Sequence, residues 1–362
     1  EPAQLQTHSH GITPGRSSHR KSQERTMFRI ASVISTALLP GVAGSGSELV
    51  FPTEVQAADG WYELVLGRRE LAGGAYGITT RGYVGGSPVF RMKPGETLSV
   101  NLLNNLSVEN SMDCGSGIHY CEASVTNLHT HGLHVSSKGS DELPYASDDV
   151  FADVGPGESK SYQFTIPDYH MGGTHWYHPH HHHATALQAG GGVAGMLIVD
   201  DPPGYLPQAY SKMPEKLLFI SGHNLRTLSQ IASDAQSNQL GDPTDLENGE
   251  AIASSQGLDT NIFLVNGLIG QTMTIDSHVW QRLRIVYAAV EQSLHLQVTG
   301  DATCTLNLLA KDGIYLHEIP RAIGTIRLHP AARADVAMSC TCAVYPCTAA
   351  LASSQDARRL TR

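Results

Sequence analysis

Two short histidine motifs constrain this chain more than any other feature of its sequence. Ten of the 19 histidines fall within residues 129–183, and eight of these ten lie in the segments HTHG (129–132) and HWYHPHHHH (175–183). Imidazole is the most common metal ligand in proteins and suits copper, zinc and iron. The two motifs therefore predict a metal site before any fold is considered.

The spacing within each motif predicts which imidazoles act together. Side chains two residues apart in a strand lie on the same face, so His129 pairs with His131, and His178 with His180. Pro179 disfavours a helix at His178, and proline is tolerated in a sheet only at an edge or a strand end. Two such pairs that face each other would hold a small metal cluster at the rim of a sheet.

The rest of the sequence predicts an all-β fold. The chain contains 36 glycines and 18 prolines, and its strand candidates include TLSVNLLNNL, AGMLIVDD and RLRIVYAA. At 362 residues it has room for two domains, each able to bury its own core. We predict domains at residues 60–204 and 214–350, with one helix near residues 225–237.

The first 59 residues lack the pattern of a folded domain. Residues 1–26 are polar and rich in Ser, His and Arg, which predicts disorder. From Met27 onward, Arg29 precedes the apolar stretch IASVISTALLPGVAG and then small residues, the layout of a secretory signal peptide at 27–46. This predicts secretion to the extracellular space or the cell surface, and the stretch is too short and interrupted for a stable membrane span.

Several motifs resemble the first domain of laccase-like multicopper oxidases. They are TNLHTHGLHVS, SDDVF, VGPGES, GTHWYHPH and ALQAGGGVAGMLIVDDP, which occur in that family's order. The segments VNGL, WQRLRIV and KDGIYL are similar to the family's second domain, so the resemblance covers roughly residues 60–345. It implies two tandem cupredoxin-like Greek-key β-sandwiches, of which the first carries copper.

The resemblance also implies roles for individual residues. His129 would be a type 2 copper ligand, and His131, His178 and His180 would be type 3 ligands of a trinuclear cluster that reduces dioxygen to water. Asp148, in SDDVF, would be an acid that helps to deliver protons to the cluster, or else a turn or capping carboxylate.

Other histidines near the motifs have different interpretations. His134 and His175 lie beside the motifs but do not match ligand positions, so we expect them to be structural or to support the ligands. The run at residues 181–183 is open to two interpretations, a part of the site or a histidine-rich tract with adventitious metal affinity.

The sequence departs from the family near its C-terminus. Family members carry an HPxHxH segment and an HCH segment in a third domain, the latter with the cysteine ligand of the type 1 copper, and neither occurs in the C-terminal part of this sequence. We therefore expect a truncated relative with half of the trinuclear ligands and no type 1 site.

The cysteines are interpreted as disulfide partners. Cys121 has His119 close by in the sequence, but we favour a Cys114–Cys121 disulfide that closes a short loop. The segment CTCAVYPC (340–347) lacks the paired spacing of a structural zinc site and predicts a disulfide or an atypical chain end.

The leading function is a copper oxidoreductase that couples oxidation of phenols, aromatic amines or metal ions to reduction of dioxygen to water. The implied partners are dioxygen and a small reducing substrate. One alternative is a non-catalytic copper-binding remnant of two domains, and another is an oligomer that completes the cluster between subunits. The net charge of −10 argues against a nucleic-acid partner.

Overall fold

Strands dominate the computed structural model, which describes residues 25–29, 48–71, 79–107, 122–138, 145–224, 261–290, 292–343 and 348–353. These strands form two successive β-sandwiches, each with its own apolar core. The predicted all-β, cupredoxin-like class is confirmed.

The first sandwich contains most of the strands before residue 200, together with a 3-10 helix at Ala57–Asp59 and the helix α1 at Thr185–Gly191. Its strands are β2 (Glu54–Gln56), β3 (Trp61–Glu70), β4 (Thr79–Tyr83), β5 (Val89–Met92), β6 (Thr97–Asn104), β7 (His129–His131), β8 (Ser159–Thr165), β9 (Gly173–His178) and β10 (Gly195–Val199). One sheet has the order β2-β5-β10-β9-β7, and the facing sheet has the order β4-β3-β6-β8.

The second sandwich follows a short helix α2 at Gln208–Ser211. Its strands are β1 (Arg25–Arg29), β11 (Glu215–Asn224), β12 (Asn261–Val265), β13 (Thr272–Asp276), β14 (Gln281–Ala288), β15 (Leu294–Gly300), β16 (Thr303–Lys311), β17 (Ile314–Tyr315), β18 (Arg321–Ile323), β19 (Ile326–Leu328), β20 (Arg333–Thr341) and β21 (Thr348–Ser353). The sheets have the orders β12-β11-β14-β20-β16-β17, with β18 also on β16, and β13-β1-β21-β15-β19.

Alternation along the strands explains how each core forms. In β6, Leu98, Val100 and Leu102 point inward and are almost completely buried, while the residues between them face outward. This period of two is what a strand with one buried face requires. The inward residues pack against the facing sheet in a single apolar cluster.

The strand β9 is buried on both faces and joins the two sandwiches. Tyr177 points into the core of the first sandwich, whereas Trp176 belongs to an apolar cluster between the sandwiches. In that cluster Met196 of β10 also packs near Phe219 of β11 and Val286 of β14. The outer face of the first sandwich's sheet is therefore covered by the second sandwich.

The N-terminal region differs from the predicted disordered segment at residues 1–59. Leu49 is buried in the core of the second sandwich, and Glu54–Gln56 pairs with β5. Arg25–Arg29, which overlaps the start of the predicted signal peptide, pairs with β13 and β21. Strand pairing uses backbone groups, so the composition of these segments gave no signal for it.

Several predicted features lie outside the described residues. They are the Cys114–Cys121 disulfide, the helix near residues 225–237 and residues 30–46 of the signal peptide. Among the described residues, none of the helices has the length and apolar character needed to cross a bilayer. The disulfide predicted in the segment 340–347 is confirmed at Cys340, which pairs with Cys304 on the neighbouring strand β16.

Buried charges tie β9 to the second sandwich. The carboxylate of Asp335 is fully buried and accepts hydrogen bonds from Thr174 Oγ1 at 2.5 Å and Arg282 Nη2 at 2.6 Å. Arg282 also donates to Asp201 at 2.8 Å, and Arg284 lies 3.6 Å from Asp335. Burial alone would raise the pKa of Asp335, but the two guanidinium groups hold it below its ordinary value.

We predict that Asp335→Asn destabilises the fold strongly, because it leaves two buried guanidinium groups without their shared carboxylate. The expected loss is about 3–5 kcal/mol in the free energy of unfolding, measured by chemical denaturation. Asp301→Asn, in an exposed turn of the same sandwich, is the matched control and should change the free energy by at most about 0.5 kcal/mol. Equal effects of the two substitutions would contradict the role of the ion cluster.

Candidate metal centre

The pairing of β7 with β9 brings the two histidine motifs together. The strands are antiparallel, with His129 opposite His178 and His131 opposite Trp176. Because alternate side chains share a face, these four side chains project from the same side of the sheet. β7 is the edge strand of that sheet, and β9 ends at His178, directly before Pro179.

Three imidazoles form a compact group of nitrogen donors. One ring nitrogen from each of His129, His131 and His178 lies within 4.8 Å of the others. His131 Nδ1 and His178 Nε2 are 3.2 Å apart, and the rings of His129 and His178 are centred 5.0 Å from each other. Such a group is the arrangement that a metal bound by imidazoles requires.

His180 lies beside this group, but it comes after the end of β9 and is not part of a strand. Its ring centre is 5.1 Å from that of His129 and 6.1 Å from that of His178, and the residue is exposed. Its backbone N–H donates to Asn127 Oδ1 at 2.6 Å, which fixes the chain just after Pro179. The structure thus brings all four predicted ligands together, with His180 on the solvent side.

Asp148 is placed against the first motif. Its carboxylate lies 3.0 Å from His129 Nδ1 and accepts hydrogen bonds from the Thr130 backbone N–H at 2.7 Å and the Thr130 hydroxyl at 3.0 Å. Burial would raise the pKa of Asp148, but the bonds from His129 and Thr130 hold it below its ordinary value. The group is therefore an anion that orients His129.

The hydrogen bonds determine which imidazole nitrogens are available. His129 uses Nδ1 for Asp148, and His178 donates Nδ1–H to the carbonyl of Pro179 at 2.8 Å. Each ring is left with Nε2 for a metal. Such a partner on the second nitrogen fixes the tautomer and orientation of a metal-bound histidine.

Burial keeps the central imidazoles neutral. It lowers the pKa of His131 to about 4, with Arg333 and His129 adding to the effect. It lowers the pKa of His178 to about 3, and His129 contributes again. Neutral imidazole is the form that binds metals, so both donors are in the competent state at neutral pH.

Trp176 and Gly132 shape the surroundings of the cluster. The Trp176 ring stacks on His178 with centres 4.1 Å apart and on His131 at 5.2 Å. Gly132 has a positive φ of 100°, and a Cβ there would lie 2.6 Å from Arg333 Nη2 and 2.8 Å from His175 Nδ1. The fourth residue of HTHG must therefore be glycine for the second sandwich to approach.

His175 and His134 are near the cluster but outside the donor group. His175 is buried, neither of its ring nitrogens has a hydrogen-bond partner, and burial lowers its pKa well below the ordinary value. His134 donates its backbone N–H to His170 Nε2 at 3.1 Å.

The histidines in the run at residues 181–183 differ in their burial. His181 is buried, with its ring nitrogens 2.9 Å from Glu122 and 2.9 Å from Asp153, while its carbonyl accepts bonds from Ala184 and Thr185 at the start of α1. His182 is exposed. His181 therefore anchors the helix.

Sequence reasoning missed several residues that position the ligands. Trp176 had a detectable signal, because the period of two places it on the face of His178. Asn127 and Thr130 had none, since their roles depend on the loop that carries Asp148 and on the turn at Pro179. Arg333 is more than 150 residues away in the chain and reaches the site only through the docking of the sandwiches.

Known proteins share this site-bearing segment. Residues 118–204 match the family model described as multicopper oxidase. Both histidine motifs and Asp148 lie inside that stretch. The resemblance inferred from the sequence is thereby confirmed.

The similarity to multicopper oxidases extends along most of the chain. MmcO, a multicopper oxidase of Mycobacterium tuberculosis, is 23% identical over 346 residues, which are 91% of this chain and 62% of MmcO. The chain thus spans less than two thirds of the length of that relative.

Solved structures share the fold at low sequence identity. A laccase-like multicopper oxidase CueO from Ochrobactrum sp. superposes with a TM-score of 0.52 at 20% identity, covering 84% of this chain and 63% of that one. A multicopper oxidase from Campylobacter jejuni gives a TM-score of 0.53 at 21% identity, covering 81% and 54%.

We predict that His131 and His178 of the metal-free full chain stay neutral far into the acid range. Histidine side-chain NMR titration should give pKa values of about 4 and about 3. Both values lie below the ordinary pKa of 6.5, so between that pH and about pH 3 the unfolded chain binds more protons than the folded chain. The free energy of unfolding should therefore fall as the pH drops from 6.5.

The variant His178→Gln is the control for the stability measurement. This variant removes one of the two imidazoles whose pKa is lowered by folding. Its free energy of unfolding should therefore depend less on pH between neutrality and pH 4. Resonances of both histidines that titrate near 6.5 would contradict the burial of the cluster.

Proposed function

We propose that His129, His131, His178 and His180 bind copper as half of a trinuclear type 2 and type 3 site. The observation that carries this proposal is the group of three imidazole nitrogens within 4.8 Å, inside a segment that matches the multicopper oxidase family. The donors fit the metal, because neutral imidazoles with oriented lone pairs suit copper well. Other ligands of a complete cluster would come from outside these two motifs.

The protein residues orient and tune the donors. Asp148 holds His129 Nδ1, Pro179 holds His178 Nδ1, and Trp176 packs the rings of His131 and His178 from one side. Copper, when bound, supplies the one-electron chemistry that reduction of dioxygen needs. Asp148 acts in this proposal as a positioning carboxylate, because an anion with a lowered pKa is a poor proton donor.

The proposed activity is that of a multicopper oxidase, which couples oxidation of phenolic or aromatic substrates, or of metal ions, to reduction of dioxygen to water. Its support is the family match together with the histidine cluster. The alternative is a copper-binding chain without turnover.

We also propose that the protein is secreted. The support is the predicted signal peptide at residues 27–46 and the disulfide between Cys304 and Cys340, which is typical of oxidising compartments. Removal of this peptide would also remove β1, so in the secreted form β13 and β21 would lack the strand that pairs with both of them. N-terminal sequencing of material from a secreting host tests this, and a mature chain that retains Met27 would contradict it.

The copper assignment predicts a loss of metal in ligand variants. His178→Ala should reduce the copper bound after dialysis to about half or less of the original, because the remaining donors are too few to hold a cluster. Elemental analysis measures the copper, and circular dichroism checks that the variant is folded. His182→Ala, which removes an exposed imidazole of the adjacent run, is the control and should bind as much copper as the unchanged chain.

Unchanged copper content in His178→Ala and also in His129→Ala would contradict the assignment. A loss confined to His182→Ala would place the metal in the run at residues 181–183 instead. Oxidation of phenolic substrates by the copper-loaded chain would contradict the non-catalytic alternative.

A second prediction concerns Asp148. Asp148→Asn should weaken copper binding roughly 10- to 100-fold, because partners of metal-bound histidines typically contribute that much to affinity. Asp149→Asn is a matched control, since Asp149 bonds to the backbone of Phe151 and does not touch His129. Affinities from competition with a copper chelator measure both, and equal effects of the two substitutions would exclude a specific role for Asp148.

A further inference from the structure

A cavity of about 320 Å³ lies between the two sandwiches, and its lining includes none of the four proposed copper ligands. One wall comes from the first sandwich, with Arg69 on β3 and Arg81 on β4. The other comes from β11 of the second sandwich, with Phe219, Ser221 and His223. Its volume is within the range of small-molecule sites, about 300–1,000 Å³.

Positive charge faces this cavity. The stem of Arg69 packs on Gly82, and its Nη2 lies 3.4 Å from the position that a Cβ of Gly267 would take in the second sandwich. Burial lowers the pKa of Arg69, and no acidic side chain among the described residues offsets this effect. Arg81, which is 5% exposed, adds a second guanidinium to the same wall.

The polar groups opposite are neutral. His223 donates Nδ1–H to the Gly190 carbonyl at 2.8 Å and accepts a bond from the Ser221 hydroxyl at Nε2, at 2.9 Å. Burial lowers the pKa of His223 to about 4, so this ring carries no charge at neutral pH. The described acidic residue that lines the cavity is Glu70, which is exposed at its edge. Arg69 therefore supplies positive charge to the buried part of the cavity.

Apolar side chains supply the rest of the wall. Met196 and Phe219 belong to the cluster between the sandwiches and also line the cavity. A flat apolar body fits against such side chains, and a guanidinium pairs with a carboxylate through two parallel hydrogen bonds. We propose that this cavity binds a small aromatic carboxylic acid, with its carboxylate on Arg69 and its ring against Phe219 and Met196.

A ligand in this position would contact both sandwiches at once. Since it would bind the docked arrangement and not a separated one, it would also stabilise the docking. The proposal does not depend on copper, because the proposed ligands of the metal take no part in the cavity.

Isothermal titration of the full chain tests this site, with benzoate as the probe, EDTA present and ionic strength fixed. Benzoate should bind, and benzyl alcohol, which has the same ring without the charge, should bind at least about tenfold more weakly. Arg69→Gln should weaken benzoate binding by a similar factor. Arg68→Gln removes the same charge from the next residue, which is exposed and outside the cavity, and should leave binding unchanged.

Arg69→Lys keeps the charge but loses the two-pronged geometry, so it should also weaken benzoate binding. This variant replaces Arg69→Gln in the test if Arg69→Gln fails to fold. The proposal is overturned if benzoate does not bind, if benzyl alcohol binds as tightly, or if both Arg69 variants bind benzoate normally. Inorganic phosphate that binds as tightly as benzoate would also overturn it, because the apolar wall would then contribute nothing.

Discussion

The register between β7 and β9 is the constraint on which the rest of the site depends. With His129 opposite His178, the histidines and Trp176 project outward, while Thr130 and Tyr177 take the opposite face. A slip of one residue would exchange the two faces. Tyr177 would then leave the core of the first sandwich, and imidazoles would replace it. The same hydrophobic burial that stabilises the sandwich therefore sets the geometry of the cluster.

Electrostatics around the cluster favour neutral donors. Asp148 is a negative group that touches a proposed ligand, and it binds Nδ1 of His129, which leaves Nε2 of that ring for a metal. Arg333 approaches from the second sandwich, but its guanidinium donates to the carbonyls of Asp312 at 2.7 Å and Ala331 at 3.1 Å. Its charge helps to lower the pKa of His131 and so keeps that imidazole free of a proton.

The sequence predicted this site well where local periodicity governs it. The His-x-His spacing and Pro179 were enough to place His129, His131 and His178 on one face near a strand end. The two-residue period of side chains ends with β9 at His178, so it does not predict where His180 lies. The hydrogen bond from the His180 backbone N–H to Asn127 holds the chain at this position. The pairing of Glu54–Gln56 with β5 and the approach of Arg333 are long-range and have no local pattern.

The second sandwich supplies no proposed copper ligand among the described residues, yet the site needs it. Without its cover, Trp176 and Met196 would be exposed as part of an apolar patch, which is unfavourable in water. The stacking of Trp176 on His178 would then compete with hydration and with other rotamers of the ring. Docking also builds the cavity that contains Arg69, because Phe219 serves both the interface and the cavity wall. The strand β9, which is buried on both faces, thus couples the geometry of the histidine cluster to the packing between the sandwiches. Substitutions at this interface should therefore affect both the histidine cluster and the cavity that contains Arg69.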